Sequence, residues 1–200
     1  DSSCLPTNII SKFASKSLKV VLSGDGGDEI FLGYNRYLYG KKIKFLNSLT
    51  SKQTRSFIKK SIGFLPIDLL DRLSSPFQKT FGLHGFSHKM MKLSNIINYE
   101  NNSDFYKRLS ILDNSKLDQF LDTSESIFGD YNDIELIESI QRNDIDYYLL
   151  NDILTKVDRS SMNNSLEVRS PFLNHKLVER AFKVPSLQKM RGNNQKIILK

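Results

Sequence analysis

The sequence predicts an α/β fold, with one or two parallel strands near its start followed by a mostly helical body. Three observations carry that prediction. A helical stretch, a short β-branched run, a glycine turn and a second helical stretch follow one another between residues 8 and 37, the order of a parallel α/β unit. Helical periodicity then dominates from Lys41 to about Asn143. Ile145 to Arg159, IDYYLLNDILTKVDR, is the clearest amphipathic helix of all.

Each element has its own signal. Asn8 to Ser17 carries Ile9, Ile10, Phe13 and Ala14 at helical spacing. Leu18 to Leu22 reads as a short buried strand, ended by Ser23-Gly24. In the middle, Pro66, Pro76 and the stretch FGLHGFSHK interrupt the helical pattern, and Asn98 to Ser103 is polar enough to be a loop. His84 and His88 are four apart, as two metal ligands on a helix turn would be. Gly82 and Gly85 argue against a helix there, and no further ligand accompanies the pair, so a surface loop is the reading. In the 145–159 helix, Ile145, Tyr148, Leu149, Ile153 and Val157 form the stripe to be buried. Asp152, Lys156 and Arg159 fall on another face, and by themselves read as a surface ion-pair ladder.

The segment SLEVRSPFLNHKLVERAFKVP follows. Pro171 forces Ser170 to be extended, Asn174 can cap, and Leu177, Val178, Ala181 and Phe182 drive a helix until Pro185. Gly192-Asn193-Asn194 then makes a turn that launches QKIILK and places Lys196 in the first turn of a helix. A cation there opposes the helix dipole. Either it is merely exposed, or something anionic sits nearby.

Composition narrows the classes. Two hundred residues suit a single domain, and 39% hydrophobic with 26% charged residues is ordinary for a water-soluble chain. The formal charge of +7 invites a nucleic-acid reading, but Lys41 to Lys60 holds seven Lys or Arg and no acid, equal to the whole excess. Such a run is ordinarily a solvated helix face, and no nucleic-acid motif accompanies it. One cysteine, Cys4, excludes an internal disulfide or a cysteine-rich zinc site and suits the cytosol. No apolar run is long enough to span a membrane and no signal segment opens the chain. The chain begins DSSCLPTNII without Met and stops inside an apparent helix, the pattern expected of a piece of a larger protein.

The chemistry concentrates in VVLSGDGGDEIFLGYNRY, where three glycines and three carboxylates fall within residues 23–29. A P-loop needs a Lys-Ser/Thr where Asp28-Glu29 stands. A dinucleotide fingerprint needs a glycine at Glu29, and an EF-hand needs an oxygen ligand at Gly27. All three fail. In open α/β sheets ligands sit beyond the carboxyl ends of strands. There Gly24, Gly26 and Gly27 would let the backbone approach a ligand. Asp25, Asp28 and Glu29 would repel a bare phosphate, which becomes acceptable once Mg²⁺ bridges the two. A plain acidic turn explains the same composition, and both readings stand at this point.

A resemblance weighs between them. LSGDGGDEIFLGYNRY closely resembles the S-G-D/E-G-x-D-E-x-F-x-G-Y segment of glutamine-hydrolysing asparagine synthetases. YLLNDILTKVDRSSMNNSLEVRSPFLNHKLVE is similar to the family's D-I-L-x-K-x-D-R-x-S-M-x-x-S-L-E-x-R-x-P-F-L-x-H, and GNNQKIILK to its G-x-x-x-K-x-x-L-R/K ending. The three stand in family order and cover the beginning and last quarter of the chain.

The resemblance implies part of an ATP-pyrophosphatase-like (adenine-nucleotide α-hydrolase-like) domain. On that reading residues 1–40 hold the strand and ATP loop, 41–143 a helical part of unassigned role, and 144–200 the second and third motifs. A glutaminase domain and the first ATP loop, S-G-G-x-D-S, are expected outside the chain. It further implies an ATP- and Mg²⁺-dependent ligase that adenylates the side-chain carboxylate of aspartate and transfers ammonia from glutamine. Ser23, Gly24 and Asp25 would contact the adenylate, with Asp25 also serving the ammonia step. Asp28 would hold Mg²⁺ and pyrophosphate, Tyr34 would close the same loop, and Asp152 and Lys156 would face the aspartate and phosphate pocket. Lys196 would stabilise the transferring α-phosphate, so Asp25 and Lys196 are the catalytic pair it implies. Relatives amidating β-lactam precursors, sugars or peptides are the alternative, as is a truncated remnant serving as an interaction module. A homodimer is left open; nucleic acid and membrane are not implied. Two departures stand out: Leu32 occupies a position where the family more often has glycine, and Cys4, in DSSCLP, is expected to be a small packed residue rather than a thiol nucleophile.

Overall fold

The computed structural model describes residues 2–64, 90, 93–110 and 128–200. Pro66, Pro76 and the His84–His88 pair lie outside the described residues. Contacts divide the chain into two compact units, one of residues 1–38 with 137–200, the other of residues 39–136.

The first unit holds the strand-end loop. Helix α1 (Cys4–Ala14) starts earlier than the apolar spacing predicts and ends earlier too. Strand β1 is Val20–Leu22, shorter than the Leu18–Leu22 of the sequence reading and not buried as that reading expects, since Val20 and Leu22 are exposed. It pairs in parallel with β2 (Glu167–Arg169), Val21 opposite Val168. The parallel α/β unit is therefore present, closed by a strand nearly 150 residues downstream. Helix α2 (Gly27–Ile30) follows the glycine turn, and helix α3 (Asn35–Leu49) begins just after Tyr34.

In the second unit, α4 (Lys52–Phe64) follows α3 across a short turn, and the Arg55 guanidinium donates to the carbonyls of Asn47 and Thr50 to fix it. Helix α5 (Asn102–Ser110) starts inside the Asn98–Ser103 stretch read as a loop, because Asn101 caps it there, its side chain accepting from the Asp104 amide at 2.8 Å. Its buried face is Phe105, Tyr106 and Leu109.

Helix α6 (Leu136–Asn143) leads back into the first unit, where the 145–159 pattern takes an unexpected form. Asp144–Leu154 is wound as a π-helix, and only from Thr155 does the chain become α-helical, as α7 (Thr155–Met162). Hydrophobic periodicity marks a buried face and cannot tell these windings apart. Leu149 is the member of the expected stripe that is fully buried. Ser170 is extended, as Pro171 requires, and Asn174 caps α8 (His175–Phe182) by accepting from the Lys176 amide. A last short helix, α9 (Ser186–Lys189), precedes a turn closed by reciprocal Arg191–Asn194 backbone bonds.

Lys196 departs from its expected place. It sits in the left-handed region (φ 53°) ahead of a 3₁₀ turn at Ile197–Leu199, not within a helix's first turn. Cys4 also departs: its thiol is exposed rather than packed, 3.6 Å from the Ser160 hydroxyl.

Beneath the loop, Ile30, Phe31 and Ala181 form a buried cluster against Phe172, Leu173, Leu177 and Val178. Phe31 meets Phe172 edge to face at 5.9 Å. Gly26 turns at φ 87°, and a Cβ there would lie 2.2 Å from the Leu173 side chain, so only glycine fits.

Leu32 is left-handed as well, with φ 58°, which is the physical reason a glycine suits that position. Its side chain is nevertheless 0% exposed. Leu32→Gly would release about 1–2 kcal/mol of left-handed strain and forfeit about 2–5 kcal/mol of buried leucine. Burial wins, so the variant is expected to be less stable by about 1–3 kcal/mol. A thermal midpoint above that of the parent chain would show that strain dominates.

Candidate functional site

The site is built where β1 ends. The Ser23 amide continues the sheet by donating to the Arg169 carbonyl at 2.9 Å. Its hydroxyl donates to Asp25 Oδ2 at 2.8 Å and shares a bond with Ser170 Oγ at 2.9 Å. The Gly27 amide bonds back to the Gly24 carbonyl, so residues 24–27 form a tight turn that delivers Asp28 and Glu29 on the first turn of α2. Carboxylates are favourable there.

A cavity of about 460 Å³ opens over this turn. Ser23, Gly24, Asp25, Asp28 and Tyr34 line one wall, and Lys156 from α7 lines another. Lys156 Nζ donates to Ser3 Oγ at 2.7 Å. The surface-ladder reading of this face therefore misses Lys156, which faces the loop's cavity. Asp152 is half-buried on the π-helix and is not among the residues lining this cavity; Ile153 and Val157 stand beside Lys156 instead. The structure thus brings together Ser23, Gly24, Asp25, Asp28, Tyr34 and Lys156, and leaves Asp152 to one side.

Lys196 reaches the same loop from the far end of the sequence. Its Nζ lies 2.7 Å from Asp28 Oδ1, with both side chains about a third exposed, at 35% and 38%. The pair lies directly over Gly33. A Cβ on Gly33 would come 1.7 Å from Asp28 Oδ1 and 2.2 Å from Lys196 Cε. Of the two readings left open for Lys196, the one with an anion nearby is met, and the anion is Asp28.

The third carboxylate of the loop, read from the sequence only as acidic, also lines the cavity and is almost wholly buried. Glu29 is 1% exposed and accepts from the Tyr34 hydroxyl at 2.7 Å. Burial pushes its carboxyl above the usual range, against the lowering effect of the Tyr34 bond. Burial and the Glu29 bond together hold the Tyr34 phenol far above its ordinary value, so it stays a donor. The Arg36 guanidinium lies 4.7 Å from the Tyr34 ring and 4.4 Å from the Tyr148 ring, and pairs with Asp144 at 2.6 Å.

Two glutamine amides hold the loop's backbone. Gln141, buried, donates to the carbonyls of Glu29 and Ile30, each at 2.8 Å, and accepts from Lys189 Nζ at 3.2 Å. Gln195 donates to the carbonyls of Leu32 and Tyr34 at 3.1 and 2.6 Å. Burial pushes the Lys189 ammonium down to about 8. Arg36, Gln141 and Asp144 carry no local signal, because their meaning lies in partners more than 100 residues away. Gln195 could have been flagged by its place beside Lys196.

Among the described residues no group of three or more His, Cys, Asp or Glu could hold a metal ion. Mg²⁺ prefers oxygen donors and takes one or two carboxylates beside substrate phosphates. Asp28 and Asp25 on the cavity wall are the carboxylates available for it. No helix among the described residues is long and apolar enough to cross a membrane.

Comparisons with known proteins converge. The sequence matches the asparagine synthase family over residues 1–200. It is 29% identical to an asparagine synthetase (glutamine-hydrolysing) of Bacillus subtilis, across 100% of this chain and 30% of the relative. It is 26% identical to a putative enzyme of the same name from Mycobacterium bovis, across 100% of this chain and 29% of the relative. A further putative one, from Methanocaldococcus jannaschii, is 49% identical over 49 residues, 24% of this chain and 10% of the relative. The chain spans about 30% of the length of the first of these relatives. No solved structure matches it at a significant level.

Proposed function

The chain belongs to the asparagine synthase family, and from that premise we propose that it carries part of the carboxylate-adenylating site of an ATP-dependent amide ligase. The observation that supports this most is the Asp28–Lys196 pair. Two residues 168 positions apart meet at 2.7 Å on a strand-end loop beside a cavity large enough for a nucleotide fragment.

In the reaction proposed, an oxygen of the substrate carboxylate attacks the α-phosphorus of ATP and the bond to pyrophosphate breaks. Ammonia then attacks the acyl carbon, the bond to AMP breaks, and one proton leaves the nitrogen. The turn at Ser23 and Gly24 would seat the adenylate, with the Ser23 hydroxyl holding Asp25 at 2.8 Å in position for the ammonia step. Asp28 would hold magnesium, whose part is to screen the phosphates from the carboxylate. Asp28 would then release Lys196, whose ammonium is left to face charge developing on the phosphate. Lys156, on the opposite wall, would meet the acidic substrate or pyrophosphate. Tyr34, held on Glu29, closes the loop side of the cavity.

Aspartate is the acceptor we propose, with glutamine-derived ammonia as nitrogen source and the cytosol as location. The glutaminase part and first ATP loop belong to chain beyond these residues. Leu5, Ile9 and Phe13 of α1 are 70%, 60% and 75% exposed, and Leu22 of β1 is 73% exposed. An apolar face of that kind suits a fold completed by further chain. These 200 residues alone should therefore bind magnesium–ATP weakly or not at all, and tight magnesium-dependent binding in calorimetry would refute that. In the longer protein, ATP–pyrophosphate exchange should depend on aspartate. Exchange supported by another carboxylic acid but not by aspartate would instead assign the acceptor to that acid.

A further inference from the structure

The geometry points to Gln195 as a positioning residue that registers Lys196 against the acidic loop; only the catalytic consequence of this rests on the ligase reading. The Gln195 side-chain amide donates to the carbonyls of Leu32 and Tyr34, the two residues that flank Gly33. The next residue, Lys196, is left-handed at φ 53°, so the chain reverses there and its side chain comes back over Gly33 to Asp28. The absence of a side chain at Gly33 leaves the space that Asp28 Oδ1 and Lys196 Cε occupy.

The ion pair does not hold this arrangement by itself. With each side chain about a third exposed, at 35% and 38%, it is screened and pays the entropy of ordering two flexible groups. The backbone bonds are what fix the loop. The Asp28 carbonyl accepts from the Gly33 amide at 2.7 Å, and Gln141 takes the carbonyls of Glu29 and Ile30 from the buried side. Gln195 takes those of Leu32 and Tyr34 from the other side, and in doing so ties the C-terminal turn to the loop. That turn is itself closed by the Arg191–Asn194 pair, with Gly192 at φ 60°, so Gln195 is presented from a fixed base. The Gln195 bonds hold the Lys196 backbone where its stem can reach Asp28, while the stem itself stays free to swing.

Gln195→Glu keeps the length but cannot donate, and sets a carboxylate against two carbonyl oxygens. Gln195→Asn keeps the amide and shortens its reach. The first measurement is brief acetylation of this chain with acetic anhydride, read by peptide mass spectrometry, with the exposed Lys16 as reference. Labelling of Lys196 relative to Lys16 should rise about two- to fivefold in Gln195→Glu, the most that loss of a screened, partly exposed ion pair can release. The rise in Gln195→Asn should be smaller, and the thermal midpoint should barely move in either. Unchanged labelling in both variants overturns the proposal. The second measurement is pyrophosphate exchange in the longer enzyme. Gln195→Glu should lower its rate constant in the parent and do nothing further in a Lys196→Ala background, whereas a merely structural role would give additive losses. Raised labelling with unchanged exchange in an active enzyme would uphold the positioning and remove Lys196 from the chemistry, so the two readings fail separately.

Discussion

Lys196→Ala should leave the protein folded and lower carboxylate-dependent pyrophosphate exchange by about 10³-fold, the loss typical of removing one well-placed charge-stabilising donor. The two effects separate because, on the proposed reading, the same ammonium would have two environments. In the free protein it is paired with Asp28 at 2.7 Å while still 35% exposed, and such pairs add at most about 1 kcal/mol. Opposite a transferring phosphate in a closed, drier site the same charge acts through a lower effective dielectric and is worth several-fold more. Gly33→Ala tests the geometry with both charges kept. Its methyl group would occupy the space of Asp28 Oδ1 and Lys196 Cε, and both of these are ends of side chains that can swing aside. The backbone can therefore stay while the pair is driven apart, and exchange should fall almost as far as in Lys196→Ala. Exchange within tenfold of the parent in Lys196→Ala would sink the assignment. So would a fall in thermal midpoint as large as the fall in rate would suggest.

The acidic loop's composition left a metal-bridged phosphate site and a plain acidic turn both open, and the motif resemblance was what weighed between them. Three glycines allow close approach, and the lysine near the chain's end, for which an anionic neighbour was one of two readings, meets Asp28 of this loop. The parallel strand order was readable, since helix, strand, glycine turn and helix leave few alternatives. Strand β2 was not, because Glu167-Val168-Arg169 offers a single apolar side chain and owes its form to the backbone of β1. The π winding at Asp144–Leu154 was hidden for a different reason: a hydrophobic stripe reports which side is buried and little about the turn. For Lys196 the helix expectation failed because nothing local announces a left-handed lysine. The conformation is set by Gln195 and Asp28, the latter 168 residues away. What periodicity and composition cannot carry is pairing across long separations, and the backing of this site consists largely of such pairs.

Arg36→Met should be the most destabilising single change near the site, by about 3–5 kcal/mol, the usual effect of breaking a buried ion pair from one side. For a chain of 200 residues that lowers the thermal midpoint of the first unit by roughly 10 °C. The Asp144 side chain is 0% exposed and meets Arg36 at 2.6 Å, so removing the guanidinium leaves a carboxylate with its principal counter-charge gone and no access to water. Burial already holds the Tyr37 hydroxyl well above its ordinary range, with Asp144 adding to it, so this phenol cannot replace the lost cation. A second contribution comes from packing, since the guanidinium fills the space beside the Tyr34 and Tyr148 rings. The two contributions separate in the double variant Arg36→Met with Asp144→Asn. If the buried charge dominates, neutralising it should recover a large part of the loss, because the remaining apolar and amide groups no longer demand a counter-ion. If packing dominates, the double variant should be no more stable than Arg36→Met alone, and the electrostatic account would be wrong. The outcome bears on the site through Tyr34, whose ring rests on Arg36 and whose hydroxyl fixes Glu29 in the cavity wall. A stabilised double variant that still exchanges pyrophosphate poorly would mean that Arg36 shapes the cavity by placing Tyr34, over and above holding the fold.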